Sequence, residues 1–515
     1  LLRERAAFVD AGRRRLAGEP VDLPPGSQKF LRGVREVALL GDAAKTKKDA
    51  ATVISELEGK PEASSPSAEH ALELLVRLGI LARDENIALL RASVPIDFSP
   101  DVLEEAARCA TRPPGEPRLD LRALEIVTID DISTTEIDDG VSLETTPRGF
   151  RLGIHISDAA HFIDKGSILD EDALARATSY YLPDRSIRML PAALSEAAAS
   201  LVCGEDRPAL SFLVDVTPHA EILGFEIQES LVRVSRRMTY EDCERDLAGD
   251  AATPWLPRVA ELAAVFEAER LAAGATPIRA HEVNITFDAQ GEPQIQLIDP
   301  GRPARQLVAE LMVLANRLVA AWCRDRGLPA IYRKQAPPSG AAAPPPRDRI
   351  DPVAAFEFRR SLQRTEISLE PGPHAGLGVD AYLQATSPLR RYQDLAVHRQ
   401  IKAAVRGAPL AHSREELLAV AASTEAAGRL ARAIETETDH YFILRVLERR
   451  IGETLDAVIV RRDDRHSLVE LLDYGFITPL ARRPDHERGK KLRVRVRASR
   501  PRRGQLTLEE VASST

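Results

Sequence analysis

The spacing of apolar residues changes along this chain, and each change narrows the folds open to it. Residues 28–58 and 67–79 carry apolar positions at helical spacing, with Ser67 placed as an N-cap of AEHALELLVRLG and Gly79 as a C-cap. The following ILARDENIALLRASV (80–94) reads as a short hairpin turning at Asp84-Glu85-Asn86. Helices followed by a hairpin make a winged helix-turn-helix, which serves either as a nucleic-acid or partner-binding module or as a structural cap. Across 119–216 the period keeps switching. LEIVTID (124–130), FRLGIHIS (150–157) and SFLVDV (211–216) read as strands, and 171–180 and 192–202 as helices. That mixture predicts a mixed α and β domain. Residues 304–325 form a largely buried helix, and 413–450 long amphipathic helices. From 452 to 512 the period settles at two: DAVIVRR, HSLVELLD, FITPLA, KLRVRVRAS and GQLTLEEV are five short strands, which fit a small barrel of the OB type. No internal repeat is present.

The fold class is therefore multidomain α+β: a helical, winged-helix-like module over 1–100, a central mixed α/β domain over 118–450, and an OB-fold β-barrel over 451–515. The breaks are TRPPGEPR (111–118), the surface loop QAPPSGAAAPPPRD (335–348) and IGETL (451–455).

Composition excludes several classes. With 44% hydrophobic and 29% charged residues in 515, the chain is not largely disordered, and with so few cysteines it is not a disulfide scaffold. Its four cysteines, Cys109, Cys203, Cys243 and Cys323, lie far apart with no zinc spacing, and read as reduced thiols. No run reaches a membrane span, and the first twenty residues lack the apolar stretch of a signal peptide, so a cytoplasmic location with no membrane partner is expected; the expected oligomeric state is a monomer. The net charge of −8 hides an asymmetry. Residues 482–503 hold eleven Lys/Arg and two Asp/Glu, a local +9, which leaves −17 on the remainder. In KLRVRVRAS, Leu492, Val494 and Val496 are expected to face inward, so Arg493, Arg495 and Arg497 form a cationic stripe suited to phosphates, with Tyr474 and Phe476 as stacking faces. That favours single-stranded nucleic acid over a merely solvated barrel face. Codon bias would also enrich arginine.

The densest chemical signal is TIDDISTTEIDDGVSLE (128–144), with acids at Asp130, Asp131, Glu136, Asp138 and Asp139. Asp130 ends a strand, and Ile137 and Val141 bracket Asp138-Asp139 with apolar residues. Crowded, desolvated carboxylates repel one another and need a compensating cation. No His or Cys is placed to join them, and an all-oxygen site suits Mg²⁺ or Mn²⁺. Such ions polarise phosphoryl oxygens and acidify bound water, so phosphodiester cleavage is one reading and a capped, solvated acidic loop the other. In YLQATSPLRRYQDLAVHRQI (382–401) a Thr386-Ser387-Pro388 turn precedes a helix that opens with Arg390 and Arg391. A guanidinium fork beside helix N-terminal donors can neutralise charge building on phosphorus, or it can simply pair with Asp394.

Together with GIHISDAAHFIDKGSILDEDALARATSYYLPDRSIRMLP, LVAELMVLANRLVA and EPGPHAGLGVDAYLQATSPLRRYQDLAVHR, these segments resemble the ribonuclease II family, the RNB-domain exoribonucleases, over roughly 120 to 405. The resemblance implies a metal site on Asp130, Glu136, Asp138 and Asp139, with Glu136 standing where the family usually has Asp. It implies that Asp138 acts at the scissile phosphate and attacking water, and that Arg390 stabilises the transition state. Tyr181 matches one jaw of an aromatic clamp on the 3′-terminal bases, and Arg279 aligns with the other, usually Phe. Tyr240 matches a tyrosine near the site, and Glu310 an acid contacting the terminal nucleotide. The family's usual pair of cold-shock OB domains is replaced here by the helical module, whereas the C-terminal barrel agrees with its S1-type RNA-binding domain.

The expected function is a processive, Mg²⁺-dependent 3′→5′ exoribonuclease that converts single-stranded RNA to nucleoside 5′-monophosphates and ends on a short oligonucleotide. Two rivals are an RNA-binding homologue that no longer cuts, motivated by Glu136 and Arg279, and a winged-helix DNA regulator using the middle domain as scaffold.

Overall fold

The computed structural model describes residues 2–60, 66–115, 117–249, 252–340 and 343–511. Glu116 in the first proline-rich break and Ala341-Ala342 in the second lie outside them, as do residues 512–515. The chain divides into two units: Leu1–Pro95 with Thr436–Arg449 and Ala498–Leu506, and Ile96–Glu435 with Arg450–Arg497 and Thr507–Thr515.

The first unit is built on helices Leu2–Leu16, Gln28–Leu40, Lys47–Glu58, Ala68–Arg77 and Ile87–Ala92. Their apolar stripes meet in a core that includes Phe8, Leu31, Val34, Val37, Ile54, Leu74 and Leu75. Ser67 caps its helix by accepting from the backbone N–H of His70 at 3.2 Å, and Gly79 takes φ +64° just beyond it, as the sequence predicts. The hairpin expected over 80–94 is corrected: residues 87–92 are helical. The side chain of Asn86, read as a turn residue, caps this helix instead. It accepts from Leu89 N–H at 3.0 Å and donates to Thr438 at 2.8 Å. The would-be turn is also engaged, since Arg445 donates to Asp84 at 3.0 Å and Arg502 to the Glu85 carbonyl at 2.9 Å. The module is helix-turn-helix without the predicted wing.

The second unit is organised by a six-stranded sheet in the order Leu119–Asp120, Ile222–Thr239, Ile126–Asp130, Asp139–Thr146, Gly149–Ser157, Asp206–Val216. The 18-residue strand Ile222–Thr239 pairs antiparallel with Asp206–Val216 over its first part, and parallel with Ile126–Asp130 over its last. That strand closes the sheet on itself. Helix Pro303–Asp325 is long and apolar enough to cross a membrane by length and composition. Here one of its faces, with Ala304, Leu307, Leu311 and Leu314, packs into the main core. Residues 413–450 form one helix, Arg414–Glu448.

The tail forms the expected five strands, in the order Phe476–Ala481, His466–Leu471, Thr454–Arg462, Lys491–Arg500, Gln505–Val511. Leu492, Val494 and Val496 are buried, while Arg493 and Arg497 are exposed and Arg495 is half-buried. Arg497 pairs with Glu509, and Arg493 lies 3.7 Å from Asp456. The stacking faces assigned to Tyr474 and Phe476 are corrected: both are 7% exposed, so neither ring is open for a base to stack on.

Candidate active site

The acids gather because the sheet ends there. Ile126–Asp130 and Asp139–Thr146 run antiparallel with Val127 opposite Val141, so the last residue of one strand and the first of the next share one edge. Thr239 is opposite Asp130 in the parallel pairing, which brings Tyr240, the next residue, to the same edge. The loop between the acids is pinned by its apolar and polar neighbours. Ile137 is buried, its N–H donates to Ser200 Oγ at 3.0 Å, and its carbonyl accepts from Leu201 N–H at 3.0 Å.

Asp138 is 5% exposed. Its Oδ1 accepts from the backbone N–H of Leu389 at 3.0 Å, and its Oδ2 lies 3.7 Å from Arg390 Nε. Residues 251 apart in sequence therefore meet at one carboxylate. The Thr386-Ser387-Pro388 turn makes this possible. Ser387 N–H donates to Asp394 Oδ2 at 2.9 Å, and Arg391 forks onto the same carboxylate at 3.0 and 2.7 Å. Helix Tyr392–Val405 then begins just after Arg391. Of the two arginines predicted at this opening, Arg391 thus holds the turn, and Arg390 is left facing Asp138.

The segment carrying Tyr181 is stitched to the same place. Ser179 N–H and Thr178 Oγ1 donate to the Arg390 carbonyl at 3.0 and 3.1 Å, and Tyr392 N–H to the Ala177 carbonyl at 2.9 Å. The guanidinium of Arg390 stands 6.0 Å from the Tyr181 ring centre. The Tyr181 hydroxyl donates to Glu136 Oε2 at 2.6 Å, and the residue is 45% exposed. The fold therefore brings Asp130, Glu136, Asp138, Asp139, Tyr181, Tyr240 and Arg390 into one neighbourhood. Arg279 and Glu310 each have partners of their own. Arg279 forks onto Asp299 and donates to the Arg347 carbonyl at 2.7 Å, and Glu310 takes the fork of Arg270 in a buried pair. Sequence reasoning missed Arg305 and Arg237. Arg305 bonds Asp131 at 2.7 Å and lies over the Tyr240 ring, and Arg237 donates to the Thr134 carbonyl at 2.6 Å. Nothing in their local pattern marks them among so many arginines.

Burial raises Asp130, Glu136, Asp138 and Asp139. Desolvation first, and the neighbouring Asp139 charge second, push Asp130 up to about 7. Desolvation lifts Asp139 to about 6 against the pull of Arg390 and Arg391. Asp138 is pushed well above the carboxylate range by desolvation, with Arg390 and the Leu389 N–H opposing. Glu136 is raised by burial and partly held by the Tyr181 hydroxyl. Carboxylates so disfavoured as anions mark a place built for a positive charge.

Whether that charge is a metal ion can be tested on the donors. Asp130 Oδ2 and Glu136 Oε1 are buried without a hydrogen-bond partner. Among the described residues no three Asp, Glu, His or Cys side chains stand together as a complete set of ligands. A hard cation held by one or two carboxylates, with water and substrate phosphate completing its shell, fits both facts. Asp139 stands near enough to raise Asp130, so these two would hold it, with Glu136 Oε1, which the Tyr181 bond to Oε2 leaves unpaired, as a further donor.

An RNB domain matches residues 118–407, a double HTH domain 2–87, and an RNase II-type exonuclease C-terminal S1 domain 453–511. The chain belongs to the ribonuclease II family. An uncharacterized ribonuclease of Synechocystis is 34% identical over 99% of this chain and 77% of its own length. Of other curated relatives' lengths, the chain spans between 49% and 65%. An active-site mutant of the Dss1 exoribonuclease from Candida glabrata shares the fold, with TM-score 0.83 and 19% identity over 99% of this chain and 70% of that one. RNase R of Mycoplasma genitalium, in complex with ribose-methylated single-stranded RNA, shares it with TM-score 0.74 and 19% identity over 82% of this chain and 77% of that one. RNB ribonucleases depend on a divalent metal, which accords with the donor set found here.

Proposed function

We propose that this chain degrades RNA processively from the 3′ end, with Mg²⁺, releasing nucleoside 5′-monophosphates and stopping at a short oligonucleotide. Its family makes it a hydrolytic 3′→5′ exoribonuclease acting on single-stranded RNA. The observation that carries the finer reading is the meeting of Asp138, Leu389 N–H and Arg390 at the start of one helix.

Asp130 and Asp139 would hold a divalent cation, which when bound would supply polarisation of the phosphoryl oxygen and acidification of water. The chain's own residues do the rest. Asp138, raised by burial and aimed by Leu389 N–H, orients the attacking water and accepts its proton. The water oxygen bonds to the last phosphorus as the bond to the penultimate 3′-oxygen breaks. That oxygen takes a proton from solvent water, and a nucleoside 5′-monophosphate departs. Arg390, with its side chain 39% exposed and 3.7 Å from Asp138, faces the charge that grows on the phosphoryl oxygens. The exposed Tyr181 ring stacks the terminal base and sets its register.

The test uses single-stranded RNA labelled at its 5′ end and, separately, at its 3′ end. Mg²⁺ should give labelled mononucleotide at once from the 3′ label and only a short product from the 5′ label. EDTA should stop both, and Asp138→Asn should bind RNA without cutting it. Intact RNA after hours with Mg²⁺ or Mn²⁺ at protein excess would sink the proposal. It would leave the second reading, an RNA-binding relative that does not cut, which Glu136 favours because its carboxylate is given to Tyr181. Glu136→Asp separates the two: a silent protein made active supports the second reading.

A further inference from the structure

We propose that Arg305 is a positioning residue for the metal-holding loop, acting through Asp131 and the Tyr240 ring. The inference rests on the reading that Asp130 and Asp139 hold a divalent cation. Asp131 directly follows Asp130, and its side chain is 54% exposed, so left alone it would give the loop no anchor. Arg305 supplies one. Its guanidinium bonds Asp131 Oδ1 at 2.7 Å while lying 4.1 Å from the centre of the Tyr240 ring. Both ends of this bridge are rigid. Arg305 is the third residue of helix Pro303–Asp325, whose Ala304 and Leu307 are buried in the core. Tyr240 opens a helix fixed by a reciprocal cap between Thr239 and Asp242, and Thr239 is itself in register with Asp130.

A second arginine grips the same loop from the sheet. Arg237 donates to the Thr134 carbonyl at 2.6 Å and reaches the Ile132 carbonyl at 3.5 Å. The loop 131–134 is thus held at its side chain by Arg305 and at its backbone by Arg237. Ile132 stays 84% exposed between them, so apolar burial does not fix this stretch. With the guanidinium stacked and bonded, Arg305 acts as a strut rather than as a free phosphate ligand.

The sign of one measurement separates a strut from a bystander charge. An arginine that only repels a nearby cation would, when removed, let the site bind metal more tightly. An arginine that shapes the loop would, when removed, make binding weaker, and outer-shell partners of metal ligands typically cost about tenfold or more in affinity. Mn²⁺ binding to the full chain is therefore followed by electron paramagnetic resonance without RNA, alongside melting temperature, for wild type, Arg305→Ala, Arg305→Lys, Asp131→Asn and the Arg305→Ala/Asp131→Asn pair. Arg305→Ala should weaken Mn²⁺ about tenfold at near-unchanged melting temperature. Lysine, which keeps the ion pair without the flat stack, should recover part of the loss. The double variant should lose no more than the worse single one. Unchanged or tighter Mn²⁺ binding in Arg305→Ala, strict additivity, or a loss of RNA affinity with Mn²⁺ affinity intact would each overturn the proposal. No Mn²⁺ binding by the wild type would instead overturn the metal reading beneath it, and the strut with it.

Discussion

At the scale of single residues, the bond between Tyr181 and Glu136 has the clearest consequence. The 2.6 Å contact ties an exposed ring to a buried carboxylate of the acidic loop. Glutamate reaches the hydroxyl; aspartate, shorter by one methylene, would fall short by roughly 1 Å or more. Glu136→Asp and Tyr181→Phe should therefore raise KM for a short RNA by similar factors, on the order of ten- to a hundredfold for one hydrogen bond to a charged group. The double variant should be little worse than either, and steady-state kinetics on the four proteins checks this. Fully additive effects would separate the two side chains functionally. His155 makes a different point. It has no exposed surface, sits between Ser142 and Ser211 at 2.9 and 2.7 Å, and burial pulls its pKa down to about 3. A group lowered on folding takes up its proton in the unfolded chain first. Its stabilisation is whole above about pH 6.5, and drains away as pH falls toward 3, by about 1.4 kcal/mol per unit. Between pH 7 and 5 the wild type should lose more in melting temperature than His155→Gln, although the variant starts lower. Equal losses would place the acid sensitivity elsewhere, with His398 and His412, which are also lowered by burial.

At the scale of elements, Asn86 decides between two structures for the same fifteen residues. Asp84-Glu85-Asn86 has hairpin-turn composition, and the residues around it alternate just enough to suggest strands. A hairpin, however, would leave Asn86 without a partner, whereas the helix gives it both the Leu89 N–H and Thr438, a residue 352 positions away. Asn86→Ala should cost the first unit about 1–2 kcal/mol, seen as a lower melting temperature. Asn86→Asp keeps the cap but loses the amide donor, and should fall between. The same logic explains what the sequence could and could not reveal. Ser67, the strand ends at Asp130 and Asp139, and the inward Leu492-Val494-Val496 face obey local rules and were legible. The strand Ile222–Thr239 was not, because its first half pairs with one neighbour and its second with another, leaving no single face to alternate. Among the site residues, motif order brought Asp138 and Arg390 under suspicion. No local rule could say that Arg391 would be consumed by Asp394, that Leu389 would donate to Asp138, or that Arg279 would be taken by Asp299.

At the scale of the molecule, the relevant quantity is where charge is left unpaired. The chain carries −8 overall, yet +9 lies within residues 482–503. Counting that segment's cations overstates its grip on RNA, because the fold spends several of them. Arg497 is paired with Glu509, Arg503 with Glu69, and Lys490 with Asp485. Within the stripe, Arg493 keeps only a 3.7 Å approach to Asp456, and Arg495 has its Nε enclosed without a hydrogen bond. Each phosphate neutralised on a single strand steepens the fall of log affinity with log salt by about 0.7. Three free arginines would contribute about 2 to that slope, whereas one or two effective ones contribute about 0.7 to 1.4. Replacing Arg493, Arg495 and Arg497 together with alanine should therefore weaken binding of single-stranded RNA and flatten its salt dependence by the smaller amount. Arg497→Ala alone should change it least, since RNA must compete with Glu509 for that guanidinium. Titrations of labelled RNA at several salt concentrations, with Mg²⁺ withheld so that nothing is cut, measure the slopes directly. A triple variant whose slope matches the wild type would mean that strands reach the site without touching this face of the barrel.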